Sequence, residues 1–204
     1  MILALLLAAA EPQTAIDAER AFAADAQKLG QWTAFRKYAA GDAVMFVPQK
    51  VNAQEWLKDK KDPPVSVFWW PGRSYISCDG STAVNTGPWV RQWGKSVGYF
   101  TTVWHRQPNG SWKWLLDHGD SLPTARAEGG DIKPLVASCG GGLRVLPSLK
   151  NGSAGGRIWG GGKSGDSSLF WNWEVGSKGE RRFTAWLWDG KQFQNIIDDR
   201  IAAE

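Results

Sequence analysis

Apolar positions recur at helical spacing in the first part of the chain. Thr14, with Asp17 three residues later, predicts a helix N-cap, and Gly30 predicts the end of that helix. Between them the apolar positions are Ala15, Ala18, Phe22, Ala26 and Leu29. Because residues three and four apart lie on one side of a helix, this spacing predicts a first helix with a single buried face.

Two further helices and one strand follow before the pattern changes. The helical period continues at Trp32, Phe35, Tyr38 and Ala39. This second helix ends at Gly41, and residues 43–47 then have the composition of a strand that Pro48 closes. A capping residue at Asn52 predicts a third helix, which ends before the proline pair at 63–64.

From Val65 onward, β-branched and aromatic residues alternate in the manner typical of strands. Turn sequences interrupt the pattern at 78–81, 92–95 and 108–110. The predicted strands lie near 66–77, 82–91, 97–106 and 111–118. Because the loops are too short for a crossover, we expect an antiparallel sheet.

A loop-rich connector at 121–142 separates this sheet from a β-rich tail at 143–204. The tail contains predicted strands at 143–146, 168–175, 182–188 and 192–198, with a glycine-rich stretch before the second of them. Short glycine turns between the later strands predict a β-meander. Such a small sheet is marginal alone, so we expect it to pack on the main sheet.

Three segments resemble a known superfamily. Residues Ala18–Ala23, Asp42–Phe46 and Asn109–Asp120 look like members of the nuclear transport factor 2-like superfamily that carry a domain of unknown function. The resemblance covers about residues 14–120. It implies an α+β cone, in which a curved antiparallel sheet and three N-terminal helices enclose a pocket, and the β-meander is an extension outside it. Relatives such as ketosteroid isomerases and polyketide cyclases use this pocket for small, often apolar ligands.

The register of the last strand decides which side chains face that pocket. Alternation places Trp112, Trp114, Leu116, His118 and Asp120 on one face, which we expect to point inward. With a two-residue turn in the preceding hairpin, His118 lies opposite Thr101. With a three-residue loop that includes Pro108, Asp117 lies there instead. The sequence leaves both registers open.

His118 is the candidate general base, because histidine titrates near neutral pH. Asp120 would orient it, while Tyr99 or Asn85 would donate a hydrogen bond to a developing oxyanion. The residues expected to contact a ligand are Asn85, Arg91, Thr101, Trp112 and Trp114. The alternative is a core histidine whose partner satisfies it and which has no part in chemistry.

The resemblance implies a different base, since ketosteroid isomerases use a carboxylate together with tyrosine and protonated aspartate donors. No acidic residue stands on an evident inner face early in the sheet. Asp42 is the nearest in position, but at a helix-to-strand turn an aspartate usually serves the turn itself. Isomerase chemistry is therefore in doubt at this point.

Neither a metal nor another cofactor is expected. The two histidines, His105 and His118, would lie too far apart along the ladder to share an ion without further ligands. Residues 156–164 resemble a phosphate-binding loop superficially, but their glycine spacing differs from that motif. We interpret them as a flexible or ligand-covering loop.

Fourteen tryptophans are unusual for a chain of this length. Three strands each place two indoles on one face, at Trp112 and Trp114, Trp171 and Trp173, and Trp186 and Trp188. Such pairs build either a thick core or an exposed platform for a sugar ring or a protein partner.

Composition indicates the class of protein and its compartment. The 204 residues are 43% apolar and 22% charged, with a net charge of +4 spread along the chain, which excludes disorder and a nucleic-acid-binding arm. No apolar run is long enough to span a bilayer. Residues 1–10 resemble a signal peptide, so we expect a periplasmic or secreted protein. There, Cys78 and Cys139 would pair; the alternative is two free thiols.

These patterns favour a protein that binds a small, largely apolar ligand in the cone pocket. Isomerase, lyase or hydrolase chemistry at His118 is one hypothesis, and whether the protein is an enzyme stays open. The alternative is a noncatalytic module that uses exposed tryptophan pairs to bind carbohydrate or a protein. The resemblance also implies a homodimer formed through the sheet face.

Overall fold

A computed structural model describes residues 13–127, 132–141 and 151–203. The predicted signal peptide and the predicted strand at 143–146 lie outside these residues. The described chain contains three α-helices: α1 (Ala15–Leu29), α2 (Gln31–Tyr38) and α3 (Ala53–Leu57). The cap of α1 is confirmed, because the Asp17 backbone N–H donates to the Thr14 hydroxyl at 3.1 Å and the Asp17 carboxylate accepts from the Thr14 backbone N–H.

The first sheet forms the body of the cone. Its strands are β1 (Ala39–Phe46), β2 (Lys50–Asn52), β3 (Phe68–Trp69), β4 (Arg73–Ile76), β5 (Thr82–Arg91), β6 (Ser96–Arg106), β7 (Trp112–Leu122) and β8 (Leu135–Val136). They follow the order β2-β1-β7-β6-β5-β4-β8, and β3 pairs with β5. The central pairs β5–β6 and β6–β7 are antiparallel, as expected, whereas β1–β7 and β4–β8 are parallel. The sheet is thus a curved α+β sheet with parallel pairings toward its edges.

The second sheet is the predicted β-meander. Its strands β9 (Gly152–Ala154), β10 (Arg157–Lys163), β11 (Leu169–Val175), β12 (Arg181–Trp188) and β13 (Phe193–Ile201) pair antiparallel in chain order. The interpretation of 156–164 as a flexible loop is wrong, since most of that segment is β10. A Cβ at Gly160 or Gly162 would lie 2.6 or 2.4 Å from an indole ring of β11. These glycines therefore make room for neighbouring tryptophans within a regular strand.

Each face of the first sheet covers a separate apolar core. One core lies under the helices and includes Phe22, Leu57, Trp104 and Trp114. The other lies between the sheets, where Val84, Val103 and Leu116 of the first sheet meet side chains of β11, β12 and β13 such as Trp171, Phe183 and Ile197. The face through which the resemblance implied a homodimer is therefore covered by the same chain.

The tryptophan pairs belong mainly to these cores. Five of the six indoles are buried: Trp112, Trp114, Trp171, Trp173 and Trp188. The sixth, Trp186, is half-buried and stacks on Phe170 with ring centroids 4.7 Å apart. Of the two alternatives, a core and an exposed platform, these residues adopt mainly the core, because indoles on neighbouring strands fill the space between layers.

A disulfide joins Cys78, after β4, to Cys139, after β8, with Cα atoms 5.2 Å apart. This resolves the choice left open above in favour of pairing. Hydrogen bonds continue the link into the second sheet, where the Ser168 hydroxyl accepts from the Cys78 N–H at 2.8 Å and the Asp79 and Asp166 carboxylates accept each other's backbone N–H. The bond closes a loop of 61 residues.

We expect replacement of both cysteines by serine (Cys78→Ser with Cys139→Ser) to lower the free energy of unfolding by about 4 kcal/mol, because the unfolded chain regains the entropy of that loop. Urea unfolding of the oxidised protein and the double variant would measure the difference. Equal stabilities, or two free thiols in the denatured, unreduced wild type, would contradict this.

Candidate functional site

The β6–β7 hairpin contains both of the registers that the sequence allowed. Its loop is the three-residue form, and Trp104 lies opposite Trp114. Leu115 is then an extra residue in β7, so that Val103 lies opposite Leu116 and Thr101 opposite His118. A bulge of this kind changes which face the following residues occupy.

The expectation that Trp112, Trp114, Leu116, His118 and Asp120 share one face is therefore wrong. The two tryptophans lie in the core beneath the helices. Beyond the bulge, Leu116 lies in the core between the sheets, and His118 contacts Phe183 of β12 with ring centroids 4.9 Å apart. Asp117 takes the inward position that was expected for His118.

Asp117 is a half-buried carboxyl group that lines a cavity on the helix side of the sheet. Its Oδ2 accepts a hydrogen bond from the Thr102 hydroxyl at 2.9 Å. Burial raises the pKa of Asp117 to about 8, the Thr102 hydrogen bond opposes this rise, and the negative charge of Glu19 adds to it. At neutral pH the group is mainly a neutral acid that can donate a hydrogen bond.

Glu19 is a fully buried carboxyl group on the same side of the sheet. It accepts hydrogen bonds from the indole N–H groups of Trp69 at 2.9 Å and Trp104 at 2.6 Å. Burial raises the pKa of Glu19 to about 7, against the lowering effect of these bonds. The amide of Asn85 also donates to Glu19 and to the backbone oxygen of Ala15, so it ties α1 to the sheet.

A cavity of about 290 Å³ opens beside Asp117; we call it the cone pocket. Its lining is mostly apolar and aromatic and comprises Gln31, Trp32, Phe35, Met45, Phe46, Val47, Val67, Trp69, Trp89, Arg91, Tyr99, Phe100, Asp117, His118, Gly119, Asp120 and Ser121. The last pair between β1 and β7 is Met45 with Asp117. Beyond that pair the edge of β7 has no neighbour from β1, which explains why the lining includes residues from both faces of β7.

His118 lies between the two sheets, beside a carboxylate of the tail. Its Nε2 is 3.3 Å from Oδ2 of Asp199, whose carboxylate also accepts from Arg126 and from the Thr101 hydroxyl. Burial lowers the pKa of His118, although Asp199 opposes this, so the imidazole is neutral at pH 7. Burial alone would raise the pKa of Asp199, but the contacts with His118 and Arg126 outweigh it and lower that pKa.

Asp199 thus occupies the place expected for Asp120. The Asp120 carboxylate accepts a hydrogen bond from the backbone of Ser121 at 2.8 Å. Tyr99 lies under Arg126, whose guanidinium is 3.9 Å from the ring centroid. Burial and the charge of Asp199 raise the pKa of Tyr99, which therefore remains a phenol.

The cone pocket brings together part of the predicted site. Of the residues named from the sequence, its lining includes Tyr99, Arg91, His118 and Asp120. Four others lie outside the lining: Asn85, Thr101, Trp112 and Trp114. Thr101 is fully buried and donates to Asp199, and the two tryptophans fill the core, so packing and internal hydrogen bonds occupy these side chains.

Sequence reasoning missed Asp117, Glu19, Asp199 and Arg126. Glu19 carried a signal, because it lies one turn after Ala15 and one turn before Phe22 on the apolar face of α1. Asp117 appeared only as the alternative register. Nothing local marks Asp199 or Arg126, since their roles arise where the second sheet meets the first.

A larger cleft of about 600 Å³ lies between the sheets, with Asp42, Lys50 and Trp159 in its lining. Both charged side chains are exposed to solvent there. The lining of the cone pocket instead includes an acid with a strongly raised pKa, which makes it the better candidate for chemistry.

Within the described ranges, no group of three or more His, Cys, Asp or Glu side chains is arranged to hold a metal ion. None of the helices described is long and apolar enough to cross a membrane.

Comparison with known proteins concerns the fold. No family model matches the sequence, and no curated protein matches it. The helices and curved sheet are those that the resemblance implied. About half of the chain is similar to solved structures of nuclear transport factor 2-like proteins. The solved structures it resembles are distant and add nothing about a ligand or a reaction.

Three of these structures are bacterial proteins. A nuclear transport factor 2-like protein of unknown function from Shewanella oneidensis is 17% identical, with 51% of this chain and 94% of that one covered and a TM-score of 0.42. A protein of the DUF3225 family from Pectobacterium atrosepticum is 12% identical, with 52% and 86% covered and a TM-score of 0.40. A nuclear transport factor 2-like superfamily protein from Salmonella enterica is 13% identical, with 53% and 89% covered and a TM-score of 0.40.

Replacing the inward acid by its neutral isostere (Asp117→Asn) should change how stability depends on pH. The folded pKa of about 8 exceeds the ordinary value of 3.8, so this group's contribution to stability is full below about pH 4 and is lost as the pH rises through 8. Relative to wild type, the free energy of unfolding of the variant should therefore rise by up to ~1.4 kcal/mol per pH unit across that window.

Urea unfolding of both proteins at a series of pH values measures this gain. The solvent-exposed substitution Asp59→Asn serves as the control and should track wild type at every pH. If the difference in free energy of unfolding between Asp117→Asn and wild type does not grow with pH, the raised pKa of Asp117 is contradicted.

Proposed function

We propose that the protein binds a small, largely apolar molecule that presents a hydrogen-bond acceptor, such as a carbonyl oxygen, to Asp117 in the cone pocket. The observation that carries this proposal is an aromatic-lined cavity of about 290 Å³ beside an acid whose pKa is raised to about 8. Apolar cavities with a few convergent polar groups are the usual form of small-molecule sites. At neutral pH Asp117 is protonated and donates to the ligand, and the aromatic rings exclude water.

Acid-base chemistry is the second part of the proposal. At neutral pH Asp117 holds a proton, whereas His118 is neutral and can accept one. The two residues line one pocket from opposite faces of β7. A pair of titratable groups whose environments push their pKa values apart suits proton transfer in isomerase, lyase or hydrolase reactions. Asp199 would hold the imidazole of His118 in place and stabilise its charged form.

Arg91 supplies a polar group to the lining of the pocket. Its guanidinium lies 4.9 Å from the ring centroid of Trp89, and it forms no ion pair with any carboxylate of the described chain. A cation stacked on an aromatic ring and free of a carboxylate partner can bind a polar or anionic group of a ligand.

The alternative of a carbohydrate- or protein-binding module loses its main support, because the tryptophan pairs on which it depended are packed inside the protein. Export to the periplasm or secretion remains part of the proposal. The Cys78–Cys139 disulfide supports it, since such bonds persist mainly in oxidising compartments.

A cavity-filling substitution tests the binding site directly. We expect the wild type to bind the fluorescent probe 1-anilinonaphthalene-8-sulfonate saturably, with one site per chain, since the probe combines apolar rings with an anionic group. Val67→Phe adds a ring to the pocket lining and should weaken binding at least tenfold, an effect of about 1.4 kcal/mol or more.

Fluorescence titration measures the affinity, and thermal unfolding confirms that the variant folds. Val136→Phe, at an exposed position outside the pocket, is the matched control and should bind like wild type. If both variants lose the same affinity for the probe, or if Val67→Phe loses none, the probe binds elsewhere and the pocket loses this support.

A further inference from the structure

The turn between β5 and β6 holds an indole in solvent. We call residues 91–95 the docking turn; Trp93, at its centre, is 95% exposed, the highest value among the large apolar side chains described. Trp93 and the preceding Gln92 have φ angles of 59° and 50°, a region that bulky residues rarely adopt. A large apolar side chain held outward by a strained turn indicates a role outside the protein's own core.

Exposed apolar side chains continue beside the turn. Phe68 of β3 is 52% exposed and lies opposite Val90, the residue that precedes the turn. Val65, three residues earlier in the chain, is 60% exposed. We call Phe68, which is placed at this end of β5 by its pairing with Val90, together with Trp93 the apolar rim; most large apolar side chains of the described chain are at least partly buried.

The charged side chains of the docking turn itself are both basic. Arg91 and Lys95 flank Trp93, and the sequence contains no acidic residue from 80 to 116. The nearest acidic group on the neighbouring strand is Asp120, which lies opposite Tyr99 and accepts a hydrogen bond from Ser121. An indole between two cations suits the boundary of an anionic bilayer, where tryptophan lies at the headgroup level and Lys or Arg contacts phosphate.

The docking turn also adjoins the lining of the cone pocket. Arg91, Trp89 and Ser121 belong to the pocket lining, and Arg91 is the first residue of the docking turn. A surface that contacts the docking turn therefore lies next to the cone pocket.

We propose that the docking turn binds the surface of an anionic phospholipid bilayer, with Trp93 inserted at the headgroup level and Lys95 on a lipid phosphate. Docking in this orientation places the cone pocket near the lipid, a reservoir of small apolar molecules. The docking itself depends on the surface residues alone and holds whether or not the pocket binds the proposed ligand.

Vesicle sedimentation tests the proposal with the whole chain. We expect wild type to bind vesicles of phosphatidylcholine mixed with phosphatidylglycerol and to bind pure phosphatidylcholine vesicles much more weakly. Trp93→Ser should reduce partitioning into the mixed vesicles about tenfold, because the indole no longer leaves water. Lys95→Gln should reduce it about fivefold through the loss of one phosphate contact.

Matched variants on the second sheet distinguish binding through the docking turn from nonspecific binding of the protein to vesicles. Trp159→Ser removes the other indole that is substantially exposed, and Lys178→Gln removes an exposed cation; both should bind like wild type. Thermal unfolding verifies that each variant folds.

Three results would overturn the proposal: no binding of wild type to the mixed vesicles, full binding by Trp93→Ser, or equal losses in the second-sheet variants. Self-association of wild type that Trp93→Ser abolishes, without vesicle binding, would assign the rim to a protein partner instead. Because the probe titration of the pocket uses no lipid, failure of either experiment leaves the other result intact.

Discussion

One inserted residue in β7 determines the electrostatic character of both faces of the first sheet. Leu115 has no partner of its own in β6, and the strand alternation shifts across it. Without this bulge, Asp117 would face the second sheet and His118 the helices. With it, a carboxyl group lines the cone pocket on the same side as Glu19, and burial of two like charges on one side of the sheet favours their protonated forms.

The second sheet supplies both apolar contacts and a carboxylate to the first sheet. It covers the outer face of the first sheet with apolar side chains, and its Asp199 neutralises Arg126 and contacts His118 where the layers meet. Each ionised group of this cluster therefore has a charged or hydrogen-bonding partner. A buried charge without such a partner would destabilise the folded state. The helix side of the sheet instead holds two acids with raised pKa values, and His118 connects the two regions because it contacts Asp199 and also lines the cone pocket.

The sequence was most informative where local chemistry decides the structure. The cap at Thr14, the central strands β5, β6 and β7 and the last three strands of the meander follow from spacing and turn residues, because these signals act over a few positions. The inward residue of β7 did not follow, because an unpaired residue such as Leu115 leaves no mark in the alternation of apolar positions. The glycines of β10 led to the wrong prediction of a loop for a related reason. They are needed because the indoles of Trp171 and Trp173 lie beside them, and the local sequence does not show this contact.

The protonation state of Asp117 is the claim on which the proposed site depends. Carbon-detected NMR of the side-chain carboxyl groups as a function of pH measures it directly, with the Asp117 signal assigned by its absence in Asp117→Asn. We predict a titration midpoint near 8 for this carboxyl group. A midpoint near the ordinary value of 3.8 would mean that the group is solvated and ionised at neutral pH, which contradicts a neutral acid in the lining of the cone pocket.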